Sequence, residues 1–364
     1  MTEQNVKDIL SKINEPILKK DFSSLDFIKN ISLNGKDLSI ALGITDIQYE
    51  GIEKLREIIT REIKNEHSSI ENIDIGFSLG VVNHNNKKKS ELLPGVKNTI
   101  AVASGKGGVG KSTVAVNIAA SLAKEGANVG LIDADIYGPS IPMMLGVSKK
   151  KPQILQIEGK NRLVPIVQYG IKLMSIGFLV DNDSALIWRG PMASSALKQF
   201  MSDVLWDELD YLLYDMPPGT GDIQLTLSQT LPLTGAIIVT TPQDIALADA
   251  KKGLAMFSKV NVPALGVIEN MSYYLKPDGQ KDYIFGEGGG KKMSKEDKVI
   301  LLGEIPINTK IRESGDIGTP IVIREPESIE SGVFNSIRKS LIKEVNLMNV
   351  SDVQNPNVEI IMDS

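Results

Sequence analysis

The chain has 364 residues, 42% of them apolar, and a formal net charge of −5, which describes a folded globular protein with room for one large domain and a small one. Cysteine is absent, and that excludes disulfides, thiol catalysis and any zinc or iron–sulfur site built from this chain's own thiolates. Net acidity argues against nucleic acid as the main partner; with no run near the roughly 18 apolar residues of a membrane span and no signal peptide at Met1-Thr2-Glu3-Gln4-Asn5, a cytoplasmic protein is expected.

Val6, Ile9, Leu10 and Ile13 recur at helical spacing, after which residues 26–33 and 38–42 read as strands joined through Asn34-Gly35. A second helix carries Ile52, Leu55, Ile58, Ile59 and Ile63, and residues 70–77 alternate as a third strand. This small α+β domain of α-β-β-α-β order, residues 1–80, contains no recognisable catalytic cluster. A linker is expected at 81–96, where residues 83–90 hold three asparagines and three consecutive lysines and read as exposed and solvated. The two histidines, His67 and His84, lie in polar stretches and read as surface residues.

From residue 97 the pattern becomes strand–helix alternation. Core strands are predicted at 99–103, 129–132, 211–214, 235–240, 264–268 and 299–305, with helices over 111–125, 194–203 and 246–258. Near-continuous apolar strands of this kind form a mostly parallel sheet flanked by helices, an α/β fold, with its chemistry at the carboxyl ends of the strands. A final helix bears Ile329, Val333, Phe334, Ile337, Leu341 and Val345, so the domain is expected to span 97–345 and a frayed tail 346–364.

Gly105-Lys106-Gly107-Gly108-Val109-Gly110-Lys111-Ser112-Thr113 matches G-x-x-x-x-G-K-S/T between a predicted strand and helix, the setting of a P-loop. Its backbone N–H groups can cradle a phosphate chain, Lys111 can reach the β- and γ-phosphates, and Ser112 can join a Mg²⁺ shell. Lys106 is not needed by its own chain for that task and is read as a charge delivered across a two-fold interface. Asp215, directly after an apolar strand and before Met216-Pro217-Pro218-Gly219-Thr220-Gly221, can sit beside the Mg²⁺ through a water. Asp133 and Asp135 point to one side of an extended backbone. One of them supports the metal or the loop and the other positions the attacking water, for which Asp135 is favoured. Asn308-Thr309-Lys310-Ile311 lacks the aspartate that ends a guanine signature, whereas Asn270 can offer a donor and an acceptor to adenine. ATP is therefore the expected nucleotide.

Together these motifs resemble the Mrp/ApbC group of deviant-Walker-A ATPases, relatives of MinD, ParA and the nitrogenase iron protein. The phrases Asp133-Ala134-Asp135-Ile136-Tyr137-Gly138-Pro139-Ser140 and Pro217-Pro218-Gly219-Thr220-Gly221-Asp222 are the most specific, and Ile187-Trp188-Arg189-Gly190-Pro191-Met192, Tyr283-Ile284-Phe285-Gly286 and Arg312-Glu313-Ser314-Gly315-Asp316 also fit. The first unit resembles the small domain fused ahead of the ATPase in many Mrp proteins. The resemblance implies catalytic roles for Lys106 acting in trans, Lys111, Asp135 and Asp215, and an adenine contact for Asn270. It also implies a homodimer, Mg²⁺-dependent ATP hydrolysis and iron–sulfur client or assembly proteins as partners. The family's C-P-x-C ligand pair reads Lys276-Pro277-Asp278-Gly279 here, so the iron–sulfur cluster is implied by the family while this chain supplies no ligand for it. A nucleotide-gated interaction or assembly factor with little turnover is the alternative reading.

Overall fold

The computed structural model describes residues 1–135, 138–178 and 190–354, arranged as two compact units, Met1–Asn85 with the chain from Ile342 onward, and Asn86–Leu341. In the first unit, α1 (Glu3–Leu10) starts in a capping box between Thr2 and Asn5 and turns Val6, Ile9 and Leu10 inward. Then come β1 (Ile28–Asn34), β2 (Asp37–Ile44), α2 (Ile52–Glu66) and β3 (Asn72–Leu79). β2 is central, antiparallel to β1 and parallel to β3. Leu55, Ile59 and Ile63 of α2 close the core over Leu38, Ile40, Leu42 and Ile75. The buried carboxylate of Glu15 accepts the N–H groups of Ile17, Leu18 and Thr45 and fixes the loop after β2.

The second unit begins with α3 (Lys87–Leu92), β4 (Val96–Ala103), α4 (Lys111–Lys124), β5 (Val129–Asp133) and the short α5 (Ile141–Met144). A hairpin of β6 (Gln153–Ile157) and β7 (Lys160–Val164) is followed by β8 (Ile166–Gln168), β9 (Ile171–Ser175), α6 (Gly190–Asp203), β10 (Leu209–Asp215), α7 (Asp222–Thr230), β11 (Gly235–Thr240), α8 (Asp244–Lys259) and β12 (Ala264–Glu269). A second hairpin, β13 (Tyr274–Leu275) and β14 (Lys281–Asp282), precedes α9 (Gly289–Asp297), β15 (Leu301–Glu304), α10 (Thr309–Ile317), α11 (Ile321–Arg324) and α12 (Ile329–Gln354). The main sheet runs β15-β12-β11-β4-β10-β5-β9-β8, parallel throughout except for β8 at its edge. Its inner strands are apolar along their whole length because helices cover both faces: β11 is buried at every position and α4 is buried from Val114 to Leu122. No helix among the described residues is long and apolar enough to cross a membrane.

Three expectations change. The lysine run is not a solvated linker, because it forms α3, and Lys89 is 2% exposed with its ammonium donating to the Lys97 carbonyl. Burial pushes that ammonium down to about 8. The last helix does not fray at 346 but continues to Gln354, where Asn346 and Asn349 bond the 80–84 strand exit within the first unit. His84 is accordingly a half-buried partner of Asn349 and no free surface group.

Candidate functional site

The strand order explains why the motifs meet. β4 delivers the P-loop, and its neighbour β10 ends at Asp215, in register with Val102 on one side and Asp133 of β5 on the other. Parallel strands send all three loops out of one sheet edge, the usual place for a phosphate site in such a fold. Gly110 caps α4 in the left-handed region at φ 81°, and a Cβ there would stand 2.2 Å from the amide nitrogen of Asn270. Only glycine fits both constraints.

Residues 107–113 and Ser104 line a cavity of about 200 Å³, whose other wall is Asp135, Ser140, Met144 and Pro218. Lys111, only 6% exposed, places its Nζ 2.6 Å from Asp215 Oδ1, 3.2 Å from Ser112 Oγ and 3.7 Å from Asp135 Oδ2. The Ser112 hydroxyl donates to Asp215 Oδ2 at 2.6 Å. Burial pushes the Asp215 carboxyl above its ordinary range, while Lys111 and Ser112 pull it back. The result is a fully desolvated carboxylate bound on each oxygen, next to a cation within reach of a second carboxylate.

Asp133 has a different place. Its Oδ2 accepts from Ser175 Oγ at 3.0 Å and from the Ile141 N–H at 3.2 Å, and its Oδ1 from the Asp135 N–H at 3.3 Å. Asp133 therefore orders the loop that carries Asp135, and Ser175, at the end of β9, is a partner that no sequence motif marked. Burial, reinforced by the charge of Asp215, pushes Asp133 up to about 8.

Lys106 is half-buried, offers its carbonyl to Ser104 Oγ at 2.9 Å, and has no ion pair among the described residues. Asn270 lies behind the P-loop, with one amide hydrogen given to the Val109 carbonyl at 2.8 Å, so that part of its donor capacity is committed to loop support. Ile136, Tyr137 and residues 187–189 lie outside the described residues. Lys276-Pro277-Asp278-Gly279 forms the tip of the β13–β14 hairpin: the Gly279 N–H donates to Lys276 O, the Gln280 N–H to Asp278 Oδ1, and Lys276 pairs with Asp282 at 3.8 Å. The described residues hold no cluster of three or more histidines or carboxylates arranged for a metal.

A P-loop at the head of a parallel sheet, with a serine and a strand-end aspartate converging beside its lysine, defines a P-loop nucleotide hydrolase. The family model described as ParA, NUBPL iron-transfer P-loop NTPase, matches residues 95–342. The chain is 44% identical over 345 residues to the iron-sulfur cluster carrier protein of Haemophilus influenzae, spanning 94% of this chain and 92% of that protein. It is 43% identical over 352 residues to the protein of the same description from Synechocystis, spanning 95% and 99%. A solved nucleotide-binding protein from Archaeoglobus fulgidus, in complex with ADP, is 37% identical with a TM-score of 0.58 and covers 69% of this chain and 98% of its own. The chain belongs to the Mrp/ApbC-type family of P-loop ATPases, the iron–sulfur carrier branch of the ParA superfamily, and it differs from the family pattern in having no cysteine.

Proposed function

We propose that this ATPase works as a homodimeric, cytoplasmic switch in iron–sulfur assembly, serving client or assembly proteins without holding a cluster through its own side chains. The observation that carries the reading is that Lys111 and Ser112, which line the P-loop cavity, both bond the buried Asp215 behind them, with Asp135 also in the lining and 3.7 Å from Lys111. Residues 105–113 bind the ATP phosphates through backbone N–H groups, and Lys111 turns from Asp215 to the β- and γ-phosphates. Ser112 Oγ and Asp215 are hard oxygen donors 2.6 Å apart and suit Mg²⁺, Asp215 through a water. When bound, that ion neutralises charge on the phosphate oxygens. Asp135 orients a water on the γ-phosphorus; the new P–O bond forms as the β–γ bridge breaks, giving ADP and phosphate with no phosphoenzyme. Lys106 reaches the partner's nucleotide, and Asn270 steadies the P-loop while its remaining amide atoms face adenine. The relatives described as iron–sulfur cluster carriers supply the pathway, and the K-P-D-G tip removes the thiolates that cluster binding would need.

Rates of ATP hydrolysis test this. Lys111→Ala is expected to lose productive nucleotide binding, and hydrolysis equal to the parent's would overturn the site. Lys106→Ala mixed with Asp135→Ala is expected to regain activity that neither shows alone, since one of the two composite sites then has both residues intact. No recovery in demonstrated heterodimers would overturn the trans placement of Lys106.

A further inference from the structure

The amino ends of β4 and β10, away from the P-loop, open into a groove of about 600 Å³ beside the β6–β7 hairpin. We infer that this hairpin and groove form a docking surface for a partner protein, taking an extended segment in which apolar and basic side chains alternate. β6 pairs only with β7, so its outer edge has no ladder partner among the described residues. The turn closes at Ile157↔Lys160, and alternation along an antiparallel ladder then leaves the N–H and C=O of Ile154 and Gln156 facing outward. Exposed edges are ordinarily protected by a charge or a proline. Lys149-Lys150-Lys151-Pro152 stops at the strand's first residue; Gln153-Ile154-Leu155-Gln156-Ile157 itself has neither, and its three large apolar residues are 64%, 45% and 41% exposed at Ile154, Leu155 and Ile157. Such an edge accepts an added strand through main-chain hydrogen bonds, with side-chain pockets supplying selectivity.

Leu155 and Ile157 share one face of β6, and Ile157 lines the groove. Charge decides the partner. Glu91, Glu158 and Glu208 line the groove and form no ion pair among the described residues, while Asp207 is paired with Lys172 at 2.6 Å. Arg162, the cation of the lining, donates to the Ser202 carbonyl. The groove, at the Ile157 end of β6, is thus acidic on balance and favours basic side chains on the segment that passes it, while Lys149, Lys150 and Lys151 lie beyond the opposite end of the strand.

The probe is a fluorescein-labelled peptide of alternating valine and lysine, titrated into the full-length protein and followed by anisotropy. Saturable binding is expected, weakened by added salt and by N-methylation of alternate peptide bonds. Leu155→Ser with Ile157→Ser should weaken it roughly tenfold or more, as loss of a central apolar anchor does. Glu91→Lys with Glu208→Lys should weaken it and lower its salt dependence. ATP hydrolysis, retained by all four substitutions, shows that the variants are folded. Non-saturable binding, binding indifferent to the β6 variant or to N-methylation, or a β6-dependent self-association of the chain in place of peptide binding would each overturn the proposal.

Discussion

At Asp215 the low dielectric works in both directions. The carboxylate is fully buried and is tolerable because Lys111 and Ser112 occupy its two oxygens, so removing the lysine strands a buried charge, typically at a cost of about 3–5 kcal/mol. Asp133, one strand away, has no cation in hydrogen-bond contact among the described residues and is held near neutrality by burial, with Asp215 adding to the effect. Its ordinary value is 3.8 and its folded value about 8, so between the two the folded chain keeps a proton that the unfolded chain has lost. The stability contributed in this way is complete below the lower value and is lost as pH rises through the upper one. Asp133→Asn cannot ionise. Thermal unfolding from about pH 4.5 to 8.5 should therefore show the melting temperature of the parent falling steadily relative to that of the variant; parallel profiles would refute the buried, protonated assignment. That Lys111, Ser112 and Asp215 meet at one place was legible because each belongs to a spaced motif. Ser175 was not, since a single serine ending a five-residue strand carries no pattern of its own.

Among the elements, the β13–β14 hairpin carries Lys276-Pro277-Asp278-Gly279, which the family resemblance sets at the place of the C-P-x-C pair. Pro277-Asp278-Gly279 is strong turn chemistry: proline presets φ, aspartate bonds the following backbone, and Gly279 takes φ 83°. The Gly279 N–H to Lys276 O bond makes these two residues the first and last of a β-turn, with Cα atoms within about 7 Å, a spacing suited to two thiolates. Lys276→Cys with Gly279→Cys is thus expected to retain iron and sulfide after anaerobic reconstitution, where the parent retains neither by intrinsic ligation. A Cβ at φ 83° costs roughly 1–2 kcal/mol, so the double variant should also melt below Lys276→Cys alone. Iron and sulfide analysis with parallel melting curves checks both, and an iron-free double variant would mean the hairpin cannot present two thiolates together. Strands of this unit that sequence left unread, β6 to β9, are three to five residues long and mix apolar with polar or charged positions, as in Gln153–Ile157 and Lys160–Val164. Periodicity over so few residues does not separate a strand from a loop.

On the scale of the whole chain, the first unit is completed by residues from the opposite terminus. Asn346, fully buried on α12, accepts the Val82 N–H at 2.9 Å and donates to Gly80 O at 2.9 Å and Thr45 Oγ1 at 3.4 Å, while Val350 and Leu347 join the apolar cluster of Ile40 and Ile59. These partners stand 264 to 301 positions apart in sequence, and no local periodicity encodes such a pairing. The sequence suggested a self-sufficient small domain followed much later by a loose tail because each piece was judged by its own pattern. Asn346→Ala would remove the amide that the buried Gly80 carbonyl accepts from and one bond made by the Val82 N–H, a loss of about 1–3 kcal/mol for a group so stranded. Truncation after Leu341 would remove Val345, Asn346, Asn349 and Val350 together and strip one side of that core. Both changes should speed amide hydrogen exchange in β2 and β3, the truncation more than the point substitution, while exchange in β4, β10 and β11 stays slow. Exchange in β2 and β3 that is unaltered by the truncation would show that residues 1–85 hold their structure without the terminal helix.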